Sequence, residues 1–237
     1  MLNSKPYELK RTKLNVHNID LEIETLKDLN KTIDDIFTHI EDQTKADKLE
    51  HDDVRLLEDL CPYFGVVWPS ARALSEHLAS LGPETFQGAQ VLELGCGLAL
   101  PSLIAAKLGA QVTATDFHPE VPAFLERNLK LNGITNLAYN HMNWRTQPPP
   151  AGPYDWVIAA DVLYEKEHPE SLAQAMAHAA GKKGRILLAD PARPYLQSFV
   201  DHMNQLGYRH DMIIKTIDDQ PTAKDIFIVV LNRRFNS

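Results

Sequence analysis

Two glycines and a carboxylate have the spacing of a nucleoside-binding site. Gly95 and Gly97 lie in the segment VLELGCGL, residues 91–98, and without a Cβ they let the backbone turn sharply and approach a ligand. Asp116 follows 19 residues (116 − 97) after Gly97, at the end of the partly apolar segment 110–115. A carboxylate at the tip of a second strand can accept hydrogen bonds from both hydroxyls of a ribose. The spacing therefore predicts a β-α-β unit that binds a nucleoside.

The residues around this turn select the kind of nucleoside. A dinucleotide-binding fingerprint needs a third glycine where this chain has Leu100, and no Gly-Lys-Ser or Gly-Lys-Thr segment provides a phosphate-binding loop. Glu93 would repel a pyrophosphate but can face a cationic group. S-adenosylmethionine (SAM) has a ribose, an ammonium and a sulfonium and no phosphate. We expect SAM as the cofactor, bound by Glu93, Gly95, Gly97 and Asp116; the alternative is a glycine-containing strand end in an unrelated α/β protein.

Three further side chains could complete the cofactor site. Asn143 and Trp144 follow a strand predicted at 137–141, and ligands of open parallel sheets bind at the carboxyl ends of the strands. Asn143 could hydrogen-bond the adenine amino group, and the indole of Trp144 could pack on the ring. Trp68, in the aromatic-rich segment 62–69, could cover the methionine end of SAM. For both tryptophans the alternative is plain core packing.

A carboxylate and a phenol after the next predicted strand suit a methyl acceptor. Asp161 and Tyr164 form a D-x-x-Y segment, in which the ring offers a cation–π surface and the acid can orient an ammonium. We expect both to be catalytic, Asp161 to border the cofactor and Tyr164 to bind the acceptor. Neutralising a lysine at pH 7 costs roughly 4–5 kcal/mol, and a nearby carboxylate raises the lysine pKa further. Asp161 is therefore expected to position the amine, not to act as a strong base; the alternative is that it caps the following helix.

The loop after the fifth predicted core strand holds an acid, a base and an aromatic ring. Asp190, Arg193 and Tyr195 lie in the segment DPARPY, whose two prolines favour a stiff, non-helical conformation. The three residues could form a wall that binds the substrate. Equally, an Asp190–Arg193 salt bridge could serve only to shape the loop.

The elements that must position these residues alternate between strand and helix. Strands are predicted near 91–94, 112–115, 137–141, 154–160 and 185–190, and helices near 101–108, 119–131, 168–179 and 195–206. Segments 212–217 and 226–231 have the pattern of a closing antiparallel hairpin. We predict an α/β fold, a Rossmann-like, seven-stranded, mostly parallel sheet with helices on both faces and a C-terminal antiparallel hairpin.

Residues 1–60 are predicted to form an N-terminal accessory segment before a methyltransferase domain at 61–237. The elements expected in the accessory segment are a hairpin around His17, a helix over 29–40, and a charged helix or loop over 47–60. A further helix is expected over 70–81, with Ser70 as its N-cap.

Composition and charge narrow the possible classes. The chain has 237 residues, 44% hydrophobic and 24% charged, which suits a globular domain. A net charge of −8 disfavours nucleic-acid binding. No apolar run approaches the roughly 20 residues of a membrane span, and no signal peptide opens the chain. Cys61, Cys96 and the histidines show no metal-ligand spacing, and we expect no metal, no disulfide and a cytoplasmic setting.

Four segments together resemble those of the seven-β-strand, class I SAM-dependent protein lysine methyltransferases. The segments are YFGVVWPSA (63–71), ELGCG (93–97), DVLY (161–164) and DPARP (190–194). The resemblance is strongest to the branch that methylates the β-subunit of electron transfer flavoprotein and to its bacterial relatives, and it covers about residues 60–210. It implies that Glu93, Gly95, Gly97 and Asp116 bind SAM and that Asp161 and Tyr164 line a lysine channel.

Three positions depart from the pattern of that family. Phe64 stands where the family has Trp, Ala192 replaces a Gly, and Asn143 stands where many relatives carry an acidic residue. The residues alone support a SAM-dependent, amine-directed enzyme, and the resemblance adds a lysine on a partner protein as the acceptor. The alternatives are a small-molecule N-methyltransferase and a non-catalytic SAM-binding scaffold. Nucleic-acid methylation is opposed by the acidic charge and by the lack of a proline pair in D-x-x-Y.

Overall fold

A computed structural model of the protein describes residues 7–45, 61–150, 152, 154–219 and 221–233. The elements in chain order are β1 (Leu9–Val16), β2 (Ile19–Leu26), α1 (Leu29–Lys45), a 3-10 turn (Tyr63–Gly65), α2 (Pro69–Ser80), α3 (Pro83–Phe86), β3 (Gln90–Leu94), α4 (Leu100–Lys107), β4 (Gln111–Asp116), α5 (Val121–Asn132), β5 (Leu137–His141), β6 (Trp156–Ala160), α6 (His168–Ala180), β7 (Arg185–Asp190), α7 (Leu196–Gln205), β8 (Tyr208–Ile217) and β9 (Lys224–Arg233). The element predicted over 47–60 lies outside the described residues.

The predicted seven-stranded sheet is confirmed, with strand order β5-β4-β3-β6-β7-β9-β8. The first five strands of that order pair in parallel, and β9 pairs antiparallel with both β7 and β8. The neighbours β3 and β6 are followed by helices on opposite faces of the sheet. Ligands of open α/β sheets bind at such a point, in the crevice beyond the carboxyl ends of the strands.

Two apolar layers cover the sheet, because successive strand residues point to opposite faces. In β6, Ile158 belongs to the apolar layer that includes residues of α2, α4 and α5, whereas Val157 and Ala159 belong to the layer of α6 and α7. Strands buried on both faces are typical of parallel sheets. Among the described residues, no helix combines the length and the apolarity needed to cross a bilayer.

The C-terminus of α5 agrees with its sequence signal, whereas the N-terminus of α2 does not. Gly133 ends α5 with a φ of +61°, the left-handed conformation that glycine commonly adopts at a helix C-terminus. Ser70, in contrast, is not the N-cap of the helix predicted over 70–81. That helix begins at Pro69, whose missing N–H needs no partner at the first helical position, and Trp68 takes the N-cap position without a side-chain hydrogen bond. The Ser70 hydroxyl is buried and has no hydrogen-bond partner among the described residues.

The predicted N-terminal hairpin is present and is fixed to α5 by two asparagines. His17 and Asn18 both have positive φ, as a two-residue type I′ turn requires. The Asn128 amide accepts a hydrogen bond from the Glu24 N–H at 2.8 Å and donates to the Glu24 carbonyl at 3.3 Å. Asn132, one turn later, makes the same pair of bonds with Glu22. The asparagine side chains therefore satisfy the backbone of β2 as a neighbouring strand would.

An Asn128→Ala variant is expected to lose about 2 kcal/mol of unfolding free energy, because the buried backbone N–H and carbonyl of Glu24 would lose their partner. Urea denaturation measures the change. The exposed Asn140 of β5 gives the matched control, since Asn140→Ala should change stability by less than about 0.5 kcal/mol. Equal losses in the two variants would contradict the anchoring role.

Candidate active site

A cavity of about 470 Å³ opens at the carboxyl ends of β3, β4, β5 and β6. It brings together most of the residues that the sequence singled out, namely Trp68, Glu93, Gly95, Gly97, Asp116, Asn143, Trp144, Asp161, Tyr164 and Arg193. Asp190 and Tyr195 are not among its lining residues. A cavity of this size suits a small organic ligand. Among the described residues, no group of histidines, cysteines and carboxylates could hold a metal ion.

The turn after β3 needs both of its glycines. Gly95 has a φ of +67°, and a Cβ there would lie 2.7 Å from Cγ1 of Val162. Gly97 has a φ of +52°, and a Cβ there would lie 3.3 Å from the carbonyl oxygen of Phe64. The backbone at this turn is therefore both left-handed and closely covered, so that a cavity wall is formed by main chain. This fits the predicted role of the turn in holding a nucleoside.

Asp116, at the tip of β4, holds the turn in place. Its two carboxylate oxygens accept hydrogen bonds from the backbone N–H groups of Gly97 and His118, each at 2.9 Å. Burial raises the pKa of this carboxyl, and the two N–H donors oppose that rise. Each oxygen has a further lone pair, so the carboxylate lining the cavity fits a pair of ribose hydroxyls.

Glu93, near the end of β3, connects the cavity to the first turn of α4. One of its oxygens accepts hydrogen bonds from the backbone N–H of Ser102, at 3.1 Å, and from the Ser102 hydroxyl. Only 1% of the residue is exposed, and burial raises its pKa to about 8 despite the bonds from Ser102. A buried carboxylate gains from a cationic neighbour, so the site fits the ammonium group of SAM.

Arg193 joins the carboxylates that follow β6 and β7. Its guanidinium is paired with Asp161 and lies 3.2 Å from Asp190, and its backbone N–H donates to Asp190 at 2.6 Å. The Asp190–Arg193 salt bridge, one of the two alternatives that the sequence left open for this loop, is therefore present. Asp190 is fully buried, so this placement gives it no direct path to a ligand, and Tyr195 packs at the start of α7 against the layer of α6 and α7. A substrate contact by Asp190 or Tyr195 stays a prediction.

Asp161, a member of this ion pair, and Ala192, the residue before Arg193, both have a left-handed backbone although neither is glycine. Asp161 has a φ of +64° and Ala192 a φ of +62°. Such a conformation costs an ordinary L-residue about 1–2 kcal/mol and persists where the surrounding structure enforces it. At Ala192 a glycine would avoid this cost, because it has no Cβ. At Asp161 the left-handed residue is one whose side chain lines the cavity.

An Ala192→Gly variant is expected to gain about 0.5–1 kcal/mol of unfolding free energy, because relief of the strained φ exceeds the entropy cost of glycine. Chemical denaturation with urea measures the gain. Ala177, inside α6, gives a control of opposite sign, since a helical Ala→Gly change costs about 1 kcal/mol. A loss of stability in both variants would refute the strain at position 192.

Aromatic residues surround the outer part of the cavity. Tyr63 and Tyr164 are 53% and 51% exposed, respectively, and both line the cavity. The Tyr164 ring meets the ring of buried His168 edge to face, with 4.6 Å between centroids. The Trp68 indole N–H donates to the Tyr63 carbonyl at 2.9 Å, which fixes Trp68 along the wall. The cavity therefore reaches the surface beside phenol rings.

Asn143 and Trp144 line the cavity, but each is also held by protein contacts. The Asn143 amide oxygen already accepts from the backbone N–H and the Nε of Arg145, at 3.0 and 3.3 Å. Trp144 is only 9% exposed, and the centroid of its ring lies 5.1 Å from that of the His168 ring. Trp144 thus belongs to the core and to the cavity wall at once. The adenine contacts expected of the two residues stay predictions.

Several lining residues were not found from the sequence. The predicted set lacks Tyr63, His118, Arg145 and Glu165. Arg145 and Glu165 form an ion pair at 3.1 Å across the loops after β5 and β6, and Arg145 also lies over the Phe117 ring. Their positions just after predicted strand ends were a usable signal. The packing of the His118 ring on Phe64, with 4.2 Å between centroids, had no such signal.

Comparison with known proteins adds independent findings. The profile of the family described as lysine methyltransferase matches residues 48–206. Protein N-lysine methyltransferase METTL21A of Xenopus tropicalis is 31% identical over 173 residues, which cover 71% of this chain and 78% of that protein. The electron transfer flavoprotein beta subunit lysine methyltransferase of Rattus norvegicus is 31% identical over 138 residues, covering 56% of this chain and 52% of that protein. This chain therefore aligns with about half the length of the second relative.

A solved structure supports the same fold. The 16S rRNA N2 G1207 methyltransferase (RsmC) of T. thermophilus, in complex with AdoMet and guanosine, superposes with a TM-score of 0.61. The superposition covers 97% of this chain and 52% of that chain, at 16% sequence identity. At that identity the likeness concerns the fold alone, and it agrees with the Rossmann-like sheet described above.

Proposed function

This chain belongs to the lysine methyltransferase family, and from that membership we propose that it methylates the side-chain amine of a lysine on a partner protein, with SAM as the methyl donor. The observation that carries the proposal is one cavity lined both by the glycine turn with Asp116 and by Asp161 with Tyr164. When bound, SAM supplies an electrophilic methyl group on a positively charged sulfur.

The chain's own residues would bind the cofactor as follows. Asp116 would accept hydrogen bonds from the ribose hydroxyls, Glu93 would face the ammonium, and the main chain of Gly95 and Gly97 would allow close approach. The remaining cofactor contacts that we propose are Trp68, Asn143, Trp144 and Asp161. All of them line the same cavity.

Asp161 and Tyr164 would receive the acceptor. Methyl transfer needs the amine nitrogen in line with the methyl group, and two side chains of fixed geometry reduce the entropy cost of that alignment. Tyr63 and Tyr164 are both half exposed, so the cavity is accessible to a side chain that stays attached to a folded protein. This accessibility favours a protein lysine over a small metabolite, which a lidded pocket would suit better.

Cofactor binding is expected to release close to one proton at pH 7, because Glu93 with a pKa of about 8 is mostly protonated there and an adjacent ammonium would ionise it. Affinity for SAM should therefore increase from pH 6 to about 8, above which the ligand's own amino group begins to lose its proton. Titration calorimetry in buffers of different ionisation enthalpy measures the release. The Glu93→Gln variant should bind SAM without releasing a proton. If the heat of SAM binding to the unchanged protein does not depend on the buffer, Glu93 is not the group that ionises.

The proposed function is tested by incubating the protein with tritiated-methyl SAM and a cell lysate from its source organism. The labelled proteins are hydrolysed and their amino acids separated. Labelled methyl-lysine supports the proposal. Label in methyl-arginine would assign a different acceptor, and label in the small-molecule fraction alone would establish the small-molecule alternative. No label despite calorimetric SAM binding would favour a non-catalytic scaffold.

The setting and the domain division are further parts of the proposal. The thiols of Cys61 and Cys96 are both buried and are not joined in a disulfide, which suits the reducing cytoplasm. We propose residues 1–60 as an accessory segment and 61–237 as the methyltransferase domain. The hairpin of the accessory segment packs against the chain next to the cavity. A Cβ added to Gly65 would lie only 2.5 Å from Cδ1 of Leu26, so the two residues are in close contact.

A further inference from the structure

The Asp161 carboxylate is engaged by a cation of the protein itself. Arg193 pairs with Asp161 through one guanidinium nitrogen and with Asp190 through another, at 3.2 Å. The exposed fractions of the three side chains are 8% for Asp161, 27% for Arg193 and 0% for Asp190. Charges in such a partly desolvated cluster interact more strongly than charges on an open surface. The presence of the Arg193 guanidinium therefore determines the net charge that an incoming amine encounters at Asp161.

A lysine acceptor reacts only as the neutral amine. Its proton must leave to solvent first; the nitrogen lone pair then forms the new N–C bond as the C–S bond breaks and its electron pair stays on sulfur. A carboxylate without a partner would stabilise the ammonium and so oppose the first step. Without Arg193 the Asp161 carboxylate, which lines the cavity, would lack this cation and would attract an ammonium more strongly.

Building on the proposed function, we propose that Arg193 is a positioning residue that occupies Asp161 and thereby prevents the site from holding the acceptor lysine as an ammonium. The guanidinium neutralises the attraction of Asp161 for a second cation. It leaves the other Asp161 oxygen able to accept a hydrogen bond from a neutral amine. Arg193 thus favours the nucleophilic form of the substrate without touching the reacting atoms.

The other charges of the cavity are balanced elsewhere. Arg145 and Glu165 pair with each other at 3.1 Å, and Glu165 also lies 3.3 Å from buried His168. Glu93 and Asp116 are bonded to Ser102 and to backbone N–H groups. The remaining titratable groups of the lining are the phenols of Tyr63 and Tyr164, the imidazole of His118 and the thiols of Cys61 and Cys96. Among the described residues, Arg193 is the cation paired with Asp161.

The first test uses n-butylammonium as the probe, with S-adenosylhomocysteine present and n-butanol as its neutral isostere. Binding at pH 7.5 is measured by NMR titration of the unchanged protein, Arg193→Met and Arg193→Lys. We expect Arg193→Met to bind the ammonium about tenfold more tightly, as removal of a neighbouring like charge implies, with butanol binding unchanged. Arg193→Lys should behave as the unchanged protein does. Equal ammonium affinity in all three proteins would overturn the inference.

The second test follows methyl-lysine formation in the lysate assay from pH 7 to 9.5. Arg193→Met should move the midpoint of the rate profile up by about one pH unit, a tenfold loss near neutral pH that disappears at the alkaline end. Arg193→Lys should restore the midpoint. A loss that is the same at every pH would show a merely structural role and overturn the inference. Absence of methyl-lysine with the unchanged protein would instead overturn the proposed function, and the inference with it.

Discussion

Asp161→Asn is expected to reduce methyl transfer by about 100-fold or more, the range typical of a lost polar group at a reacting centre. The variant loses the carboxylate that Arg193 holds in place, so the hydrogen-bond acceptor that would align the neutral amine is weakened and less firmly positioned. The asparagine amide would also bind an amine less well than a carboxylate does. Initial rates of tritium incorporation into protein measure the loss.

Asparagine is the informative replacement at this position because the backbone there is left-handed. Asp161 has a φ of +64°, which asparagine tolerates better than most residues. Folding should therefore be retained, and SAM affinity measured by calorimetry should change by less than about fivefold. The Tyr164→Phe variant keeps the ring that faces His168 and loses only the hydroxyl, so its loss of methyl transfer should be smaller than that of Asp161→Asn. Full activity of Asp161→Asn would remove Asp161 from the proposed machinery.

Gly95→Ala is expected to weaken SAM binding by about 100-fold or more, through backbone strain and a steric clash together. The backbone has a φ of +67°, and the new Cβ would lie 2.7 Å from Cγ1 of Val162, far inside normal contact. The turn, Val162 or both must move, and the cavity wall moves with them. Calorimetry or equilibrium dialysis with SAM measures the change.

The Gly133→Ala variant is the control that has the backbone strain of Gly95→Ala without its steric clash. Gly133 has a similar φ of +61°, but a Cβ there would meet no atom within 4 Å, and the residue ends α5 away from the cavity. This variant should lose about 1 kcal/mol of unfolding free energy and keep its affinity for SAM. If Gly95→Ala binds SAM as well as Gly133→Ala does, the close approach at the turn is not needed for binding.

The fold and much of the cavity lining were predictable because their signals are local. The apolar alternation of β1 and β2, the glycines at 95 and 97 and the stop at Gly133 each report backbone conformation within a few residues. In a parallel sheet the carboxyl ends of the strands share one edge, so Glu93, Asp116 and Asp161 could be assigned to one cavity before their distances were known. The family relationship adds the acceptor class to this prediction.

The sequence by itself determined which residues stand at the strand ends, and the tertiary structure decided which of them meet. The pairing of Arg193 with Asp161 joins positions 32 apart, and it depends on β6 and β7 being neighbours. The bonds from Ser102 to Glu93 and from Asn128 to the hairpin likewise depend on how helices pack on strands. The physical reason is that periodicity fixes the face and the end of an element, whereas side-chain contacts depend on strand order and packing.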